Sequence, residues 1–197
     1  DSRRLLGGNL FFAGTGAVLE TVGVEIDETL LAGWHARVER ARRHLGWDKT
    51  SPGSPLAAAI VARRHATGAS LAVQAPVDQL FTATELNEWA LCATVFERDP
   101  VRWASVAVDL LADYLEDAND SADVIPPVLE EHAALARMAV RAASERRPDV
   151  VSLIEAASAR HVGHLLDEAT LTLGAGKGSR SWALDALPAI DEVPWDS

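Results

Sequence analysis

No stretch of this chain reaches the roughly 18 consecutive apolar residues that a membrane-spanning helix needs, so no such helix and no membrane partner are expected. No secretory leader pattern is visible. A single cysteine, Cys92, excludes an internal disulfide. Its place in an amphipathic stretch points to buried packing, and a reducing, cytoplasmic setting fits. Basic residues are the scarcer charge. There are 18 Lys and Arg against 29 Asp and Glu, a net charge of −11. General nucleic-acid binding needs clustered cations to neutralise phosphates and is not expected.

Several chemical signatures are missing as well. The turn Gly174-Ala175-Gly176-Lys177-Gly178-Ser179 invites comparison with a phosphate loop, but that loop needs Gly, four residues, then Gly-Lys-Ser/Thr. Leu171 stands where the first Gly belongs, and Gly178 follows Lys177. The stretch reads as a hairpin turn, with Lys177 and Arg180 as candidates to touch an anion. The histidines are scattered. His161 and His164 are three apart, but Gly163 signals a helix end and a metal site needs further ligands. Surface or capping roles are expected for them. No Gly-x-Ser-x-Gly elbow occurs.

The sequence does contain a regular pattern of apolar stripes and turn signals. Its 197 residues suffice for one domain with a sizeable core, or one domain plus a small appendage, and six Trp supply much of the potential core area. Asn9 to Ala13 and Gly16 to Ile26 read as two strands joined through Gly14-Thr15-Gly16. Asp27 is a good N-cap for a helix with the apolar stripe Leu30, Leu31, Trp34, Val38, Ala41 and Leu45, closed by Gly46. Arg37, Arg40, Arg42 and Arg43 crowd its other side; either a solvated face or a holder for an acidic ligand fits them. Ala57 to His65 reads as a strand that turns at Ala66-Thr67-Gly68 into Ser70 to Ala75, ended by Pro76.

Thr82 and Glu85 have capping-box spacing for the next helix. Leu86, Trp89, Ala90, Ala93 and Phe96 are its expected buried face. Thr84, Asn87 and Glu88 share another face, for which a solvated surface and a binding surface are both open. Further on, Asp99-Pro100 opens a helix through Trp103 and Tyr114, beside an acidic block from Asp109 to Asp123. Pro126-Pro127 opens another, carrying Leu135, Met138 and Ala142. Asp149 is expected to cap a short helix with Val150, Leu153, Ile154 and Ala157. Ala169 to Leu173 and Arg180 to Leu184 form a last hairpin.

The predicted class is α+β: a small antiparallel sheet built from hairpins, with helices packed on one face, then a helical segment and a terminal hairpin. The expected division is a strand–strand–helix–strand–strand–helix scaffold over 1–98 and a helical segment ending in the hairpin over 99–197.

Arg3-Arg4-Leu5-Leu6-Gly7-Gly8-Asn9-Leu10, with Gly16-Ala17-Val18-Leu19-Glu20 after it, resembles the opening of cyanophycin synthetases and their Mur ligase relatives. Gly8 stands where that opening has Pro. Gly68 to Leu71 and Ala83-Thr84-Glu85-Leu86-Asn87-Glu88-Trp89-Ala90 look like simpler members of the family. Val151 to His161 followed by Ala169 to Gly176 is similar to the helix and strand that precede the ligase domains. Val193-Pro194-Trp195 resembles the lead-in to the ATP domain.

In cyanophycin synthetases the helix corresponding to 84–88 can carry a His-x-x-Glu-His zinc motif tied to a hydrolase. By the resemblance, Thr84, Asn87 and Glu88 occupy those positions, so both histidines and the catalytic glutamate are gone. Threonine and asparagine bind zinc poorly. The strands that follow the zinc helix in those enzymes have no evident counterpart.

The resemblance therefore implies no catalytic residues and no metal, but a scaffold beside an ATP-dependent, amide-bond-forming ligase domain in cis. Such a scaffold would hold a peptide or amino-acid polymer. Arg63, Arg64, Ser70, Gln74, Thr84, Asn87 and Glu88 are the candidate substrate-binding residues. The family's Gly-Thr-Asn-Gly-Lys-Thr loop is not in this sequence, so no cofactor is expected in the chain, and ATP and Mg belong to a ligase domain outside it. The first residue is not Met and the last are Trp195-Asp196-Ser197, which suggests a fragment. Two rivals are an oligomerisation module, marked by a large exposed apolar patch, and a stand-alone enzyme, marked by a deep pocket with perturbed titrating groups.

Overall fold

The structure, a computed structural model, describes residues 1–23, 25–47, 60–99 and 130–195. The expected helix through Trp103, the acidic block from Asp109 and the Pro126-Pro127 helix start lie outside these residues. Two compact units are present, Asp1–Glu145 and Arg146–Ser197.

The first unit is an antiparallel sheet with helices on one face. In chain order its elements are β1 (Ser2–Leu5), β2 (Gly16–Val22), α1 (Glu28–His44), β3 (Ile60–His65), β4 (Gly68–Gln74), α2 (Leu80–Arg98) and α3 (Glu131–Glu145). The strand order is β1-β2-β4-β3, all neighbours antiparallel. Side chains alternate across a sheet. Ala17, Leu19, Ala69, Leu71 and Val73 accordingly join the helix-side core, while Gly16, Val18, Glu20, Ser70, Ala72 and Gln74 lie on the other face.

Helix α1 forms as its stripe requires. The Asp27 carboxylate accepts from Leu30 N–H at 2.8 Å; that bond, then Arg98, holds its pKa below the ordinary value. Leu30, Trp34, Val38 and Ala41 are buried, and Leu31 and Leu45 pack half-buried beside them. Gly46 follows at φ +74°, where a side chain would be strained.

One expectation for the strands needs correction. The first strand is Ser2–Leu5, and Asn9 to Ala13 is a folded loop. Asn9 organises that loop: its Oδ1 accepts from Phe11 and Phe12 N–H, and its Nδ2 donates to the Gly7 and Gly14 carbonyls. A polar side chain that satisfies the local backbone replaces a strand ladder. The loop folds onto the outer sheet face. The Phe12 ring lies 2.8 Å from where a Cβ on Gly16 would sit, and Arg63 donates to the Leu10 carbonyl and stacks 5.1 Å from the Phe11 ring centre.

Helix α2 is the centre of the unit. It packs on β1, β2 and β4, on α1 and on α3. From Leu80 to Val95 only Phe81 and Thr84 escape burial. Leu86, Trp89, Ala90 and Ala93 are buried as expected, with Phe96 half-buried. The polar residues between them are enclosed too: Thr82 and Glu85 meet α3, whereas Asn87 and Thr94 meet partners on α1 and β4. On α3, Ala134, Met138 and Ala142 point inward.

The second unit contains α4 (Pro148–Ala159) and a three-stranded antiparallel sheet, β5 (His164–Leu166), β6 (Thr170–Leu173) and β7 (Arg180–Ala183). The final hairpin is present, and β5 adds a strand that the sequence did not announce. Asp149 is inside the helix and not its cap. Pro148 takes the first helical position, and Arg147 grips the Asp149 carboxylate at 3.0 and 2.7 Å.

Candidate functional site

The candidate residues divide between the two faces of the first sheet. Arg63 and Ser70 are register partners on the outer face, next to Glu20. Ser70 Oγ donates to Glu20 Oε2 at 3.0 Å, and His65 Nε2 lies 3.6 Å from the same carboxylate. Gln74 lies on this face as well, 4% exposed. Arg64, one residue on, alternates to the opposite face and pairs with Glu28. A groove of about 640 Å³ runs past Arg64, His65, Asp27 and Glu25 at this end of the sheet.

Thr84, Asn87 and Glu88 are on the helix side. The solvated-face reading does not hold for two of them: Asn87 is fully buried and Glu88 is 9% exposed. Asn87 Oδ1 accepts from the Trp34 indole N–H at 2.9 Å, and its Nδ2 donates to the Leu71 carbonyl at 2.7 Å. One side chain thus ties α1, α2 and β4 together. Thr84 Oγ1 donates to the Phe81 carbonyl. Glu88 sits near Cys92, whose thiol is pushed up to about 12 by burial and then by the Glu88 charge. A thiol so held stays protonated at neutral pH and is a poor nucleophile.

The arginine face of α1 is largely engaged. Arg37 bonds Thr94 and Glu97, and Arg40 holds Glu131 through two bonds of 2.7 Å. The Thr82–Glu85 capping box does not form. Glu85 is fully buried and pairs with Arg137 at 2.5 Å and Arg141 at 3.1 Å, both from α3. The open N–H groups at the start of α2 are met from a distance: the Glu145 carboxylate accepts from Phe81 N–H, Thr82 N–H and Thr82 Oγ1. No protein-family model, curated protein or solved structure matches this chain.

Burial raises the Glu145 pKa, against the hydrogen bonds from Thr82 and Phe81 that lower it. A raised folded-state value means the native chain holds this proton more tightly than the unfolded one. That contribution to stability is complete below the ordinary glutamate value of about 4.3 and is lost as pH rises through the raised one. Glu145→Gln removes the term. The urea midpoint of the parent, measured relative to the Gln variant, is expected to fall as pH climbs from about 4. A flat or rising difference contradicts the burial argument.

Among the described residues no helix is long and apolar enough to cross a membrane.

Proposed function

We propose that this chain is a non-catalytic scaffold and substrate-binding domain of an ATP-dependent, amide-bond-forming ligase of the Mur or cyanophycin synthetase-like kind, working in the cytoplasm. The observation that carries the reading is how α2 uses its polar side chains. At the positions where the resemblance puts metal ligands and a catalytic base, Thr84 closes a helical turn, Asn87 bridges two neighbouring elements and Glu88 is buried. Groups committed to internal bonds serve the framework, not chemistry on a substrate. ATP and Mg belong, on this reading, to a ligase domain in cis, and the ligand is a peptide or amino-acid polymer.

The surface available to such a polymer is the outer side of the sheet, where Arg63, His65 and Ser70 lie within one strand pair, together with the groove at the β3–β4 end that Arg64 and His65 line. Calorimetry with poly-aspartate and poly-lysine at low salt is the test. Saturable binding of one polymer, weakened by Arg64→Ala and by added salt, is the expected result. No heat with either polymer counts against the reading, as does ATP hydrolysis by the chain alone.

A further inference from the structure

The second unit has a half-open cavity of about 240 Å³ between the β6–β7 turn, the end of α4 and Val193–Trp195. Its walls include Leu173, Trp182, Val193 and Trp195, and its charged or titratable lining groups are His161 and Arg180. No Asp or Glu lines it among the described residues, although acids outnumber bases in the chain. Arg180 has no carboxylate partner among the described residues, whereas Arg37, Arg40, Arg64, Arg98, Arg137 and Arg147 each hold one.

A second observation concerns His161. It is the one non-glycine residue with positive φ among the described residues, at 57°. It follows the end of α4, where Val162 N–H returns to the Ala157 carbonyl and His161 N–H to Ser158. That arrangement favours glycine. A histidine there stands at the cavity wall at the expense of backbone strain, and strained residues gather at ligand sites. Trp195 is fixed on the other side: its indole N–H donates to the Ile190 carbonyl at 3.0 Å, and Arg160 stacks 4.6 Å from its ring centre.

We propose that this cavity binds a small carboxylate with a flat or branched apolar tail, the carboxylate on Arg180 beside His161 and the tail against Trp182 and Trp195. The planar guanidinium fork suits a carboxylate. The volume is below the roughly 300 Å³ at which pockets for drug-sized molecules begin, so the tail is short. The site lies in the second unit and requires nothing of the ligase reading, so either stands without the other.

Titration of the intact chain with benzoate, benzamide and inorganic phosphate, followed by two-dimensional NMR, tests it. Benzoate is expected to move the backbone signals of Gly174 and Gly178 and the indole signals of Trp182 and Trp195. Neutral benzamide, which lacks the charge, and phosphate, which lacks the tail, are expected to bind at least about tenfold more weakly. Arg180→Gln, at an exposed position, should raise the benzoate Kd about tenfold or more. His161→Gly relieves the backbone and keeps the fold, yet should also weaken benzoate. The proposal is overturned if benzamide or phosphate matches benzoate, if Arg180→Gln leaves the Kd unchanged, or if up to about 20 mM benzoate moves none of these signals.

Discussion

Replacing Arg137 and Arg141 together with alanine is expected to cost about 3–5 kcal/mol of stability in the first unit, the size seen when a buried ion pair loses one side. The asymmetry of the cluster sets this value. Glu85 is fully enclosed, while the side chains of Arg137 and Arg141 keep 31% and 40% exposure. Losing the arginines strands a carboxylate in the core. Losing the glutamate leaves cations that still reach water, so Glu85→Leu should cost less. The decisive measurement is the triple variant that adds Glu85→Leu to the two alanines. Its urea midpoint should recover much of the loss, because no unpaired charge remains. If the triple variant is no more stable than the double, α3 is held by packing and the ion cluster matters little.

Asn87→Leu is expected to cost about 2–4 kcal/mol although it adds an apolar side chain to an apolar surrounding. The Trp34 indole N–H loses its acceptor and the Leu71 carbonyl loses a donor, both where water does not reach. In a Trp34→Phe background the indole N–H is already gone. There the same substitution should cost about 1 kcal/mol less or better, measured as the coupling in a double-mutant cycle. Simple additivity would mean the 2.9 Å bond contributes nothing to stability.

These two clusters also show where the sequence was legible. Helix α1 could be read nearly residue by residue, since its cap and apolar stripe are local and one side of it faces water. The strand beneath α2 was readable from the alternation of small or polar and apolar residues over Ser70 to Ala75. The polar residues of α2 were not readable. Periodicity reports that Asn87 is off the apolar stripe, but cannot say whether its partner is solvent or Trp34, 53 positions earlier. Thr82 and Glu85 had the spacing of a local cap; their partners instead come from 63 and 52 positions away. Leu10-Phe11-Phe12 had strand composition, yet Asn9 offered the backbone a closer set of bonds. His161 gave no signal at all, because helix ends are sought at glycine and Gly163 stood nearby.

Glu145 closes the last turn of one helix and covers the first turn of another, which fixes how this protein can be cut. A product stopping near residue 98 would lack Glu131, Arg137, Arg141 and Glu145. It would leave a carboxylate marooned in its interior and the opening turn of α2 bare. The smallest excisable piece is therefore 1–145, and a protease that trims the chain to a resistant core should stop no earlier than that glutamate.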